Sequence, residues 1–225
     1  FVSPDCTEEE LNAAFRPNTK AVFGETIANP ALTILDIEKF ANAAHTHGVP
    51  LIIDNTFATP INCRPFEFGA DIVTHSTTKY MDGHGSAIGG CIVDSGNFNW
   101  LAHAEKFPGL CTPDDSYHGI TYAEKFGQGG AYITKATAQL MRDFGCTQSP
   151  QSAYYLNLGL ESNRNFPGWG FFSEYQGFFD FFQVPFINEN DLISVHKKFQ
   201  NRVVYQIFVD RFNKSIDNDN PKIIK

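Results

Sequence analysis

Between His75 and His84 the chain reads HSTTKYMDGH, which sets Lys79 directly behind two hydroxyls, Thr77 and Thr78, and three residues after Ser76. Upstream, an isolated acid, Asp54, closes the apolar run PLIID. An amine, neighbouring hydroxyls and a separate carboxylate are the parts needed to hold pyridoxal phosphate. The amine forms a Schiff base, the hydroxyls bind phosphate, and the carboxylate keeps the pyridinium nitrogen protonated. Taken singly, each residue has an ordinary reading. A lysine is usually a solvated surface group, Asp54 beside Asn55 could hold a turn, and Ser76 and Thr78 could be plain strand-end hydroxyls. The combination is what points to a cofactor.

The elements that must position these residues are legible as alternating runs. Lys20 to Thr26, KAVFGET, reads as a short buried strand. Leu32 to Gly48 reads as a helix, because Ile34, Ile37, Ala41 and Ala44 recur at helical spacing and Gly48 supplies a stop. Pro50 to Thr56, PLIIDNT, follows as a second buried strand, so residues 20–56 form a right-handed βαβ unit. ADIVTHSTTK and GGCIVD supply two more strands. The alternation predicts an α/β fold with a largely parallel sheet. Ligands of such sheets bind beyond the carboxyl ends of the strands. Asp54 and the Ser76–Lys79 group both follow strand ends, so both can reach one crevice.

Bulk properties narrow the function classes. A net charge of −8 and a pI near 5.3 oppose a nucleic-acid surface and adhesion to an anionic membrane. No apolar run is long enough to span a bilayer. The five cysteines (Cys6, Cys63, Cys91, Cys111 and Cys146) are odd in number, widely spaced and without a CxxC pair, which reads as buried reduced thiols in a cytoplasmic protein. The opening FVSPDCTEEE reads as mid-protein sequence, so a fragment is expected.

With these residues in view, KAVFGETIANP, PLIIDNTFATP, GADIVTHSTTKYMDGHG and IGGCIVD, in that order, resemble the Cys/Met-metabolism family of fold-type-I pyridoxal-phosphate enzymes. Within it, ETIANP and FPGLCTPDDSYHGITYAEKFG are most similar to the O-acetylhomoserine sulfhydrylase branch. The resemblance covers residues 1–162 and implies a partial large domain of that fold. It also implies γ-replacement on O-acetylhomoserine with sulfide or a thiol, giving homocysteine or methionine, by a homo-oligomer in the intact family. By the same resemblance Lys79 carries the cofactor and later moves protons, Asp54 pairs with the pyridine nitrogen, Ser76 and Thr78 bind the phosphate, and Asn29 lies near the phenolic oxygen. The family's glycine-containing phosphate loop, stacking aromatic, interface Tyr and Arg, and carboxylate-clamping Arg have no counterpart here.

Near residue 163 the texture shifts. Eleven of the 22 phenylalanines fall in residues 163–225, and the balance of Lys+Arg to Asp+Glu moves from 9 against 18 in residues 1–162 to 8 against 7 beyond. This Phe-rich segment, expected to be irregular and not an independent domain, resembles the linker and first barrel strand (VVYQIFVDRF) of an α-amylase-clan glycosidase of the neopullulanase or maltogenic amylase type. The resemblance ends before any catalytic carboxylate pair. A glycosidase fragment and an inactive chimeric remnant are therefore the alternative readings. His75 and His84 lack a third metal ligand, so no metal is expected. DNDNP reads as a solvated turn, and His118 and Tyr122 read either as pocket lining or as a surface loop.

Overall fold

The computed structural model describes residues 1–165, which lie within one unit ending at Pro167. The amylase-like resemblance and the DNDNP turn lie outside the described residues. The elements in order are α1 (Glu8–Ala13), β1 (Val22–Glu25), α2 (Ile37–Thr46), β2 (Leu51–Asp54), α3 (Thr59–Asn62), β3 (Ile72–His75), β4 (Cys91–Asp94), α4 (Pro108–Cys111), α5 (Tyr122–Lys135), α6 (Arg142–Phe144) and α7 (Pro150–Asn165).

The four strands form one sheet in the order β1-β2-β3-β4. The first two pairings are parallel and the third is antiparallel, so the sheet is mostly parallel, as expected. Both faces of the central strands are covered, which is why LIID and DIVT are continuous apolar runs rather than alternating ones. Leu51, Ile53 and Val73 pack with Ile37, Phe40, Ala41 and Ala44 of α2. On the other face, Ile72 joins Phe98, Trp100, Leu110, Tyr122 and Ala131. Successive side chains alternate between these two clusters, as the two-residue strand period requires.

Local chemistry sets the helix starts. Thr7 and Glu10 form a reciprocal capping box at the head of α1. Helix α2 begins later than its periodicity suggests. The Asp36 carboxylate caps it by accepting from the Lys39 N–H at 3.1 Å, and Gly48, at φ +63°, ends it as expected. The missing first turn is consumed by a tight reversal. Leu32 donates to the Ala28 carbonyl at 2.7 Å, Ala28 donates to the Thr33 carbonyl at 2.9 Å, and Ile34 bridges back to Ile27. Ile34 is 73% exposed and contributes nothing to the helix's apolar face.

All five cysteines are free, but the expectation of buried thiols holds only for Cys6. Cys63, Cys91 and Cys111 are half-buried, and Cys146 is exposed. Burial pushes the thiols of Cys63, Cys91 and Cys111 above the usual range, which keeps them protonated. Among the described residues no helix is long and apolar enough to cross a membrane.

Candidate functional site

The parallel register aligns the carboxyl ends of three strands: Glu25 pairs with Asp54, and Asp54 with Thr74. Asp54 therefore closes β2 at the edge where β3 releases Ser76. The connection between them is specific. The Asp54 carboxylate accepts from the Thr56 N–H at 2.9 Å, and the Thr56 hydroxyl oxygen accepts from the Ser76 N–H at 2.8 Å. The turn-holding role foreseen for Asp54 thus occupies one oxygen. Its other oxygen takes no hydrogen bond among the described residues. Asn55 is fully buried beneath this bridge, accepting from the Thr26 hydroxyl and donating to the Cys63 carbonyl, so the DNT segment is fixed from both sides.

Beyond Ser76 the chain folds into overlapping turns. Lys79 donates its N–H to the Ser76 carbonyl at 3.3 Å and accepts at its own carbonyl from Gly83 at 3.0 Å. The Lys79 side chain is exposed, and its amine is unpaired among the described residues. The Thr78 hydroxyl donates to the Gly89 carbonyl at 3.1 Å and accepts from the Gly89 N–H at 3.0 Å, pinning the outgoing and returning limbs of the loop. Its single proton is thereby committed, and donating to a phosphate would require Thr78 to release Gly89. The buried Asp82 carboxylate takes both the N–H and the hydroxyl of Ser86, which rigidifies the far side of the loop.

The structure therefore brings Asp54, Ser76 and Lys79 to one sheet end, with Thr78 committed to the loop. Asn29 is exposed in the reversal after β1, where its N–H reaches the Glu25 carboxylate at 3.2 Å. These residues fit the cofactor in donor type. An uncommitted amine, a hydroxyl and a carboxylate oxygen sit at the end of a parallel sheet, and among the described residues no cation forms an ion pair with the acid.

Other candidates separate from the site. Tyr122 is wholly buried against Ile72 and Trp100, and His118 is exposed at φ +58°, so the two do not line a common pocket. His84 bonds through Nδ1 to the Asp82 carbonyl of its own turn, and the described residues contain no metal-binding group of His, Cys, Asp or Glu. His75 is 6% exposed with Nδ1 unpartnered among the described residues. Burial holds its imidazole below the usual range, partly offset by the nearby Asp54 charge and a main-chain hydrogen bond with Asn55. Two clefts of about 350 and 330 Å³ lie elsewhere, and neither is lined by Asp54, Ser76 or Lys79. Sequence reading gave Thr56 and Gly89 no role. The adjacency of Thr56 to Asp54-Asn55 was the signal for one, and the glycine pair Gly89-Gly90 for the other.

Residues 1–163 match the model of the Cys/Met metabolism PLP-dependent enzyme family. The chain belongs to this family. Among its relatives, a sulfhydrylase of Fusarium oxysporum is 47% identical over 155 residues, covering 68% of this chain and 36% of that protein. A homocysteine/cysteine synthase of Saccharomyces cerevisiae is 46% identical over 163 residues, covering 72% and 36% respectively. The solved O-acetylhomoserine (thiol)-lyase of Campylobacter jejuni superposes with a TM-score of 0.62 at 35% identity, covering 68% of this chain and 38% of that one. That structure carries N'-pyridoxyl-lysine-5'-monophosphate. The chain spans little more than a third of the length of these relatives.

Proposed function

We propose that residues 1–162 are the cofactor-holding segment of a cytoplasmic, homo-oligomeric enzyme of the O-acetylhomoserine sulfhydrylase type. Its reaction is replacement of the γ-acetoxy group by sulfide or a thiol, giving homocysteine or methionine. The observation that carries this reading is the Asp54–Thr56–Ser76 bridge, which ties the acid of one strand end to the loop bearing Lys79.

When bound, pyridoxal phosphate supplies an electron sink for loss of the proton from the α carbon of an amino acid. Lys79 is the residue that holds the cofactor's aldehyde. With the cofactor bound, the Lys79 amine would take the α proton and serve the β carbon, which requires a position within hydrogen-bond reach of both. The Asp54 oxygen that is uncommitted among the described residues would hold the ring nitrogen. The Ser76 hydroxyl would hold the phosphate, joined by Thr78 where its proton leaves Gly89, and Asn29 would hold the phenolic oxygen.

The test is borohydride reduction of the chain mixed with pyridoxal phosphate, followed by peptide mass mapping beside a Lys79→Ala control. The expected result is a pyridoxyl group on Lys79 well above every other lysine. Label spread evenly over the surface lysines would overturn the assignment.

A further inference from the structure

Helix α7 lies directly on the loop that bears Lys79. Gly159 is buried, and a methyl group there would meet the Met81 carbonyl oxygen at 2.5 Å and the Asp82 carbonyl oxygen closer still. Both obstructions are backbone, so no side-chain rotation relieves them, and only glycine allows so close an approach. The same incoming segment touches the loop at a second place. A methyl group on Gly89 would meet the Gln148 side chain at 3.1 Å as well as the Thr77 hydroxyl at 2.6 Å. Residues 148–159 thus clasp the loop where it leaves Lys79 and again where it returns through Gly89.

The turns under this clasp carry the lysine. Gly83 donates to the Lys79 carbonyl, and Asp82 donates to the Thr77 carbonyl. Met81 and Asp82, the residues beneath Gly159, are two and three positions beyond Lys79. A shift of their carbonyls is transmitted to the lysine through those two hydrogen bonds. Inside the loop, Thr78–Gly89 and Asp82–Ser86 keep it stiff, so it moves as a unit rather than absorbing the shift.

We infer that α7 positions Lys79 by seating on the 77–89 loop, and that Gly159 is the positioning residue through which it does so. The consequence for catalysis rests on the reading of Lys79 as the cofactor lysine, whereas the seating itself is read from the protein alone.

Hydrogen exchange followed by peptide mass, on the full chain without cofactor, tests the seating. Gly159→Ala is expected to raise exchange in residues 76–90 on the order of tenfold and to leave residues 22–54 unchanged. Gln148→Ala, a milder change, is expected to raise it in the same segment by a smaller factor. Leu158→Ala, on the exposed side of α7, is expected to have no effect. With pyridoxal phosphate and borohydride, Gly159→Ala is expected to reduce labelling of Lys79 on the order of tenfold, with other lysines labelled as before.

Exchange in residues 76–90 that matches the parent in both variants would overturn the inference. So would an equal rise across 22–54 in both, which marks general packing. A loosened loop with undiminished labelling at Lys79 would overturn the positioning role. A parent chain that does not label at Lys79 would instead refute the cofactor reading, leaving the exchange result to decide the seating.

Discussion

Replacing Thr56 by valine tests whether the acid and the lysine loop are joined by the bridge described above. Thr56 is 8% exposed, and its hydroxyl oxygen accepts from the Ser76 N–H at 2.8 Å while its own N–H serves Asp54 at 2.9 Å. Valine keeps the branched shape and the main-chain bond to Asp54 but removes the acceptor for Ser76. A buried donor left without a partner costs roughly 1–3 kcal/mol, and the half-buried setting of Ser76 puts this case near the lower end. For a chain of this size each kcal/mol lowers the midpoint by about 2–4 °C, so a drop of about 3–5 °C is expected. Thermal unfolding followed by circular dichroism reads this directly, with Thr56→Ser expected to restore most of the loss. Borohydride labelling in the same samples should fall for the valine variant and recover for serine, because Ser76 and Lys79 move with the loop. Equal midpoints for valine and threonine, or a serine variant as damaged as the valine one, would refute the bridge.

Three further outcomes follow from the packing and electrostatics. Leu51→Ala, at a fully buried position between α2 and the sheet, is expected to cost about 2–5 kcal/mol in denaturant unfolding. His75 is held neutral by burial, while the unfolded chain protonates its histidines near pH 6.5. Unfolding free energy should therefore fall as pH drops below about 6.5, and His75→Gln should flatten that part of the pH profile. Asp114 is held at about 2, chiefly by the Lys135 ammonium at 2.6 Å and then by the Ser116 hydroxyl. Its contribution is present above the ordinary carboxylate range and is lost as pH falls from about 4 toward 2, so Asp114→Asn should remove that component from acid unfolding curves.

What the sequence by itself determined is whatever local pattern and residue order encode. Apolar runs bounded by turn residues marked the four described strands, but only the central β2 and β3 are covered on both faces as such runs imply. The outer strands β1, read as a buried strand, and β4 lie at the sheet edges with Phe23, Ile92 and Val93 exposed. Asp54, Ser76 and Lys79 were legible because strand ends in a parallel sheet gather at one edge, so position along each run was enough to bring them together. The start of α2 was misread, since the helical spacing that includes Ile34 competes with the reversal at Leu32 and with the Asp36 cap, and the specific hydrogen bonds prevail. Tyr122, open in the sequence between pocket lining and a surface loop, is neither, because the core cluster with Ile72 and Trp100 encloses it. The tertiary structure alone decided how the site is held. Thr56 reaches Ser76 across twenty positions, Thr78 reaches Gly89 across eleven, and Gly159 meets Met81 and Asp82, which lie far from it along the chain. No periodicity along the chain encodes such pairings, because each depends on backbone segments being brought within hydrogen-bond or van der Waals distance by the packing of everything between them.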